Sequence, residues 1–200
     1  MFLTSDFDTN NATIHLNPLM EGTMKLTFKS VISLSALVAT VIAPVLLFGG
    51  STSAEPKKGT DADYIGAGVA AGVTNGGQNG DAATFGGNIQ GRLTTSKAPV
   101  SVRGSVIFSD ETSAIMPMVT YDLPVAKNTN IYAGGGYSFV ESNGKPTPVG
   151  NQNAPVVTLG AESQVGQNLV IYGDTKVGIN AYQDSSGSAV SFQAGAGFKF

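Results

Sequence analysis

Beyond residue 90, six charged side chains could do chemistry together: Arg92, Arg103, Asp122, Glu162, Asp174 and Lys176. They fall on the alternating positions otherwise held by Asn88, Gln90, Ser101, Ser105, Thr120, Thr158, Gln164 and Gln193. The intervening positions are mostly apolar. Two guanidiniums, one ammonium and three carboxylates on one face can neutralise one another, or carboxylates could serve as acid and base. The chain has no Cys, no Trp and one His, His15. Beyond residue 54 this excludes a Ser-His-Asp triad, a thiolate nucleophile and a nitrogen or sulfur metal site. No catalytic residue, cofactor or metal is expected.

Charge balance narrows the partners. Two of the 11 basic and three of the 14 acidic residues precede residue 55, leaving nine against eleven. A near-neutral balance without a basic stripe points away from nucleic acid.

Period-two alternation requires strands to carry these residues. Eight segments of about ten residues show it, the length a tilted strand needs to cross a bilayer. They are Asp63–Val73, Thr84–Thr95, Pro99–Ser109, Ser113–Leu123, Thr129–Val140, Asn153–Gln164, Asn168–Ile179 and Ala189–Phe200. One set faces outward and is apolar: Ile65, Val69, Phe85, Ile89, Leu93, Val102, Phe108, Val119, Phe139, Leu159, Ile171 and their equivalents. The other is wetter, with Ile107, Met116, Met118, Val156 and Val170 as apolar interruptions. In the closing segment Phe192, Ala194, Ala196, Phe198 and Phe200 share a side. The fold class expected is all-β, an eight-stranded antiparallel up-and-down transmembrane β-barrel.

Connection lengths agree. Links after segments two, four and six (Ser96–Ala98, Pro124–Asn128, Val165–Gln167) are short, and those after one, five and seven (Thr74–Ala83, Glu141–Gln152, Asn180–Ser188) are long. Short turns at one end and long loops at the other suit an outer-membrane barrel, with the turns in the periplasm. The link near Asp110–Thr112 is short on the loop side. Closing these hairpins puts Arg92 opposite Ser101 or Arg103, and Arg103 about opposite Thr120, one diagonal step from Asp122. Glu162 can approach across so narrow a lumen, and Asp174 with Lys176 forms a second layer. The alternative is a hydrated interior with solvated charges.

The front of the chain reads as an export signal. Lys25 and Lys29 precede an apolar run from Val31 to Phe48, and Ser51–Ala54 offers small residues for cleavage between Ala54 and Glu55. The division is thus 1–23 as a mis-assigned extension with translation starting at Met24, 24–54 as a helical signal peptide, 55–62 as a short linker and 63–200 as the barrel. A membrane anchor is the alternative for the apolar run, which Pro44 and Gly49–Gly50 weaken. Gly66, Gly68 and Gly72 mimic a dinucleotide fingerprint, but acidic DADY precedes them and a Gly/Asn-rich stretch follows, where the motif needs a strand and a helix. Gly134–Gly136 reads as close packing within a strand.

The stretches YDLPVAKNTNIYAGGGYSF and VVTLGAESQVGQNLVIYGD and the terminal GFKF resemble the eight-stranded outer-membrane barrels of the OmpA and OmpX type, including the opacity-protein relatives. The resemblance spans Tyr64 to Phe200. It implies that Phe200, with Phe198, is the signal read by the outer-membrane barrel assembly machinery. It also implies outer-membrane lipids as the surroundings, and the absence of an OmpA-type peptidoglycan-binding domain puts cell-wall tethering in doubt. The expected function is a small porin-like integral outer-membrane barrel of the cell envelope, structural or acting through surface loops and not a general porin, because eight strands leave an interior that side chains fill. Two alternatives remain: a secreted or periplasmic lipocalin-like barrel binding a small apolar ligand, with inverted faces, and a lipid-modifying barrel enzyme.

Overall fold

A computed structural model describes residues 59–74, 84–95 and 98–200. The 1–23 extension, the signal segment 24–54, the cleavage point at Ala54 and Glu55, and most of the 55–62 linker lie outside the described residues. So do residues 75–83 and 96–97.

Eight strands follow one another: β1 (Tyr64–Gly72), β2 (Phe85–Thr94), β3 (Val100–Phe108), β4 (Ser113–Ala126), β5 (Thr129–Val140), β6 (Ala154–Val165), β7 (Leu169–Gly178) and β8 (Ala189–Lys199). Each pairs antiparallel with the next, and β8 pairs back onto β1 from Tyr64↔Lys199 to Gly72↔Ser191, closing a barrel. Closure leaves no unpaired sheet edge, so the backbone groups of every strand find partners in its two neighbours.

The alternation read from the sequence places the faces. Outward side chains include Ile65, Val69, Phe85, Leu93, Val102, Ile115, Val119, Leu123, Phe139 and Phe198, and exposure of the large apolar residues runs from 39% at Tyr137 to 69% at Phe200. So much exposed apolar surface around all strands is a liability in water and an asset in hydrocarbon. The inward set holds the buried charges. These faces are opposite to those of a lipocalin-like barrel. One outer patch differs: outward-pointing Ala161, Ser163, Thr175, Val190 and Phe192 on β6–β8 are buried.

Two local features depart from expectation. β4 runs on past Leu123 to Ala126, with a register irregularity between Pro124 and Ala126, so the link expected at Pro124–Asn128 shrinks to Lys127 and Asn128. Proline lacks the ladder N–H, and a bulge accommodates it. Asn128 then adopts φ 63°, which asparagine tolerates. The β3–β4 link is a tight turn in which Ser109 N donates to Thr112 O at 2.9 Å. It sets Phe108 opposite Ser113, so Arg103 faces Met118 and Thr120 faces Ser101. The expected Arg103–Thr120 pairing is therefore two residues out of register, whereas Arg92 does lie opposite Arg103.

The inward apolar residues are a core rather than interruptions. Ile107, Met116, Met118 and Val156 pack with Ala70, Ala114, Val140 and Val149 in the half of the lumen nearest the long loops. Val170 joins Ala62, Tyr64 and Tyr172 near the short turns. A lumen of eight strands is narrow enough for side chains to fill, and flexible methionines suit its irregular gaps. Glycine makes room for the larger inward rings. Gly160 lies between Tyr132 and Asp174 in one cross-strand row, and a Cβ there would fall on both. This bare position lets Tyr132 Oη donate to Asp174 Oδ2 at 2.9 Å.

Candidate functional site

The half of the lumen nearest the short turns holds a ring of four ion pairs. Arg92 projects inward from β2, Arg103 from β3, Asp122 from β4 and Glu162 from β6. Arg92 Nη2 meets Asp122 Oδ2 at 2.8 Å and its Nη1 meets Glu162 Oε1 at 3.0 Å. Arg103 Nη2 meets Asp122 Oδ1 at 3.1 Å and its Nη1 meets Glu162 Oε2 at 2.9 Å. Each guanidinium bridges both acids, and each carboxylate oxygen accepts from one guanidinium. All four side chains are 6% exposed or less.

Burial of four charges is costly, and geometry and added hydrogen bonds must offset it. Arg92 Nε donates to Ser101 Oγ at 3.0 Å, and Ser101 Oγ donates to Asp122 Oδ2. Arg103 Nε donates to Thr120 Oγ1 at 2.9 Å, and Thr120 Oγ1 donates to Asp122 Oδ1 at 3.2 Å. Glu162 accepts further from Tyr64 Oη at 3.2 Å and Asn130 Nδ2 at 3.2 Å. The Arg103 guanidinium also lies 3.6 Å over the centroid of the Tyr132 ring, a cation–π placement. Bidentate donors and planar acceptors make this a rigid structural cluster. With its carboxylate oxygens all taken by guanidinium donors, it offers neither a free base nor a metal ligand.

A second layer stands above the first. Lys176 Nζ donates to Asp174 Oδ1 at 2.6 Å and to Gln90 Oε1 at 3.3 Å, with both charged groups fully buried. Tyr132 joins the layers, because its hydroxyl holds Asp174 while its ring lies under Arg103. Tyr172 Oη donates to Asn88 Oδ1 at 2.8 Å, and the Tyr64 and Tyr172 rings stack at 5.8 Å. The buried cations and acids inside the lumen number three of each, so their formal charges cancel.

The mouths of the barrel are also occupied. At the loop end the β5–β6 connection turns back between Thr147 and Gly150, burying Val149 against the apolar cluster. Gly150 takes φ 110°, a left-handed conformation glycine accepts. The β7–β8 connection braces it: Asn151 N donates to Ala181 O at 2.9 Å, and Gln152 Nε2 reaches Asn180 O and Tyr182 O. Ser109 Oγ ties the β3–β4 tip to Pro146 O at 2.8 Å. At the short-turn end Thr60 and Ala62, in a segment outside any strand, are buried.

All six charged residues singled out from the sequence thus point inward, four of them meeting in one ring and two in the layer above. Phe198 and Phe200 lie on the outer wall, away from both layers, and are exposed. Sequence reasoning missed Tyr64, Tyr132, Tyr172, Asn130 and Thr60. The three tyrosines and Asn130 share the parity of the charged set, which was the available signal. Thr60 precedes the first strand and has no periodicity to betray it.

No family model and no curated protein sequence matches the chain. Solved structures do match. Neisserial surface protein A (NspA) is 16% identical, with 69% of this chain and 97% of that one covered and a TM-score of 0.51. Ail, the attachment invasion locus protein of Yersinia pestis, is 17% identical with a TM-score of 0.47. In complex with the heparin analogue sucrose octasulfate it is 16% identical with a TM-score of 0.46. Both Ail comparisons cover 70% of this chain and 100% of the other. The likeness to NspA shows the fold, an eight-stranded closed barrel of that type.

Proposed function

We propose that the protein is a small integral outer-membrane barrel with a sealed lumen, acting structurally or through its loops, and neither a diffusion porin nor a catalyst. One observation carries this reading: apolar side chains are exposed around the outer wall while charged side chains are buried within. A soluble barrel would place them the other way round, as the lipocalin-like alternative requires. The filled lumen supports a non-porin role, since both layers of charge and the apolar cluster occupy the path an ion would take. In this reading the chain is exported by a cleaved signal ending at Ala54, the short turns face the periplasm and the long loops face outward. Lipids surround the wall, and the barrel assembly machinery reads Phe200 with Phe198. The loop-end surface around the exposed Glu111–Lys145 ion pair is then available to an extracellular partner.

Cell fractionation tests the reading. The protein should occur in the outer-membrane fraction, begin at or near Glu55, migrate faster unboiled than boiled, and give no steady conductance in planar bilayers. Recovery as a soluble periplasmic protein without detergent would refute it. Changing Phe200 to Asp should lower the outer-membrane level, whereas a normal yield of heat-modifiable barrel would remove the assembly role.

A further inference from the structure

The short-turn mouth of the barrel is closed by residues 59–63, which belong to no strand. Their hold on the barrel is unusual. Thr60 O accepts from Asn130 Nδ2 at 2.7 Å and from Arg92 Nη1 at 3.2 Å, and Ala62 O accepts from the same Arg92 Nη1 at 3.2 Å. Thr60 Oγ1 adds a bond to Gln164 Oε1 at 3.2 Å. The segment is therefore docked mainly by side-chain donors reaching its main-chain carbonyls, with a long, exposed Asp61–Lys199 ion pair at 3.8 Å, and not by a ladder. Its only apolar anchor is Ala62, in the small cluster with Tyr64, Val170 and Tyr172. At its start, Gly59 passes so close to Asn130 that a Cβ would collide with the Asn130 side-chain amide and press tightly on Pro124. Beyond it, Asp63 is fastened to the rim: its carboxylate accepts from Thr94 N at 2.6 Å and its carbonyl from Phe200 N at 3.1 Å.

We propose that residues 59–62 are a releasable inner plug, hinged at Asp63, which alternates between a docked and an undocked position at the short-turn mouth. The charge ring makes release reversible. When the segment leaves, Arg92 keeps Asp122 at 2.8 Å and Glu162 at 3.0 Å, and Asn130 keeps Glu162 Oε1 at 3.2 Å. No buried charge loses its counter-ion, so undocking forfeits the hydrogen bonds to the Thr60 and Ala62 carbonyls, the Thr60–Gln164 bond, the burial of Thr60 and Ala62, and an exposed 3.8 Å ion pair between Asp61 and Lys199. Water entering the mouth replaces those bonds. Opening of this kind lies at the low end of the range of local stabilities, far below unfolding of the sheet. The loop end stays shut, because Val149 and the Ile107–Met116–Met118–Val156 cluster share no contact with the segment in either core cluster. The released state is thus a chamber open on one side, with the charge ring at its floor, and not a channel.

Thiol accessibility tests this directly, because the chain has no cysteine. Val170→Cys places a thiol inside the lumen beneath Ala62, and Ser186→Cys in the exposed β7–β8 loop gives the rate of an open site. The folded, heat-modifiable protein in detergent is treated with a small charged methanethiosulfonate. The expected result is slow but complete modification at position 170, at least a hundredfold slower than at 186, and acceleration of tenfold or more by Gly59→Val, whose side chain displaces the Asn130 amide that docks the segment. Asn130→Ser, which removes a docking donor while keeping a small polar side chain, should accelerate it by a smaller factor and serves if Gly59→Val does not fold. Equal rates at 170 and 186 in the parent would show an open mouth and overturn the plug. An unmodified thiol at 170 throughout, or a rate indifferent to both Gly59→Val and Asn130→Ser in folded protein, would overturn its release.

Discussion

The two halves of the lumen are filled by opposite chemistry. Near the short turns four charges from β2, β3, β4 and β6 interlock, and each pairs with two of opposite sign. Near the loops Ile107, Met116, Met118, Val156 and Val149 exclude water by volume alone. The contrast separates two ways of closing a barrel. An apolar filling loses stability in proportion to the atoms removed, and its neighbours partly relax. A charge ring does not degrade gradually, because losing one member strands its partners in a place that water does not reach.

The largest effect should therefore come from Glu162→Ala, which leaves Arg92 and Arg103 each short of a counter-ion. A loss of about 3–5 kcal/mol is expected from reversible urea unfolding in lipid vesicles. Adding Arg103→Met to it should cost less than the sum of the two single changes, by at least about 1 kcal/mol. A small loss from Glu162→Ala, or strict additivity, would mean that the charges act independently. Met116→Ala in the apolar half comes next, at about 2–4 kcal/mol through the cavity it leaves. Planar-bilayer conductance should stay at background in both variants, since each keeps one half of the lumen closed. Steady current through Met116→Ala would locate the whole barrier in the apolar half.

Gly160→Ala tests the joint between the layers. The added methyl meets the Tyr132 ring and Asp174, so overpacking should cost about 1–3 kcal/mol and displace the tyrosine hydroxyl from the carboxylate. Unchanged near-ultraviolet circular dichroism and an unchanged midpoint would show that the joint has slack.

The smallest effect belongs to the exposed pair Lys145–Glu111 at the loop end, 2.6 Å apart. Glu111 raises the Lys145 ammonium above its ordinary value, first by hydrogen bonding and then by charge. Whatever the pair contributes is present below the ordinary lysine pKa and fades as pH rises through the raised one. Solvent screening makes that contribution slight, so Glu111→Gln should leave the urea midpoint unchanged at neutral pH. A clear shift there would place the loop-end surface within the barrel's stability rather than outside it.

What the sequence determined was everything that repeats locally. Period two marked the strands to within a residue or two at most ends, and β5 runs over Thr129–Val140 as read. Parity alone told which charged side chains turn inward, because successive side chains on a strand take opposite faces. Connection lengths distinguished the two ends of the barrel. The rest needed closure of the sheet. The β3–β4 register depended on a four-residue turn, and a two-residue shift exchanged Thr120 for Met118 opposite Arg103. Methionines and isoleucine that blurred the inward pattern became a core only when β3 through β6 brought them to one height. Arg103 and Glu162, 59 residues apart, meet at 2.9 Å because the wall curves back on itself. The segment before β1 carries no periodicity at all. Its place in the mouth was decided by carbonyls within reach of Arg92 and Asn130, a contact that exists only after the barrel has closed around it.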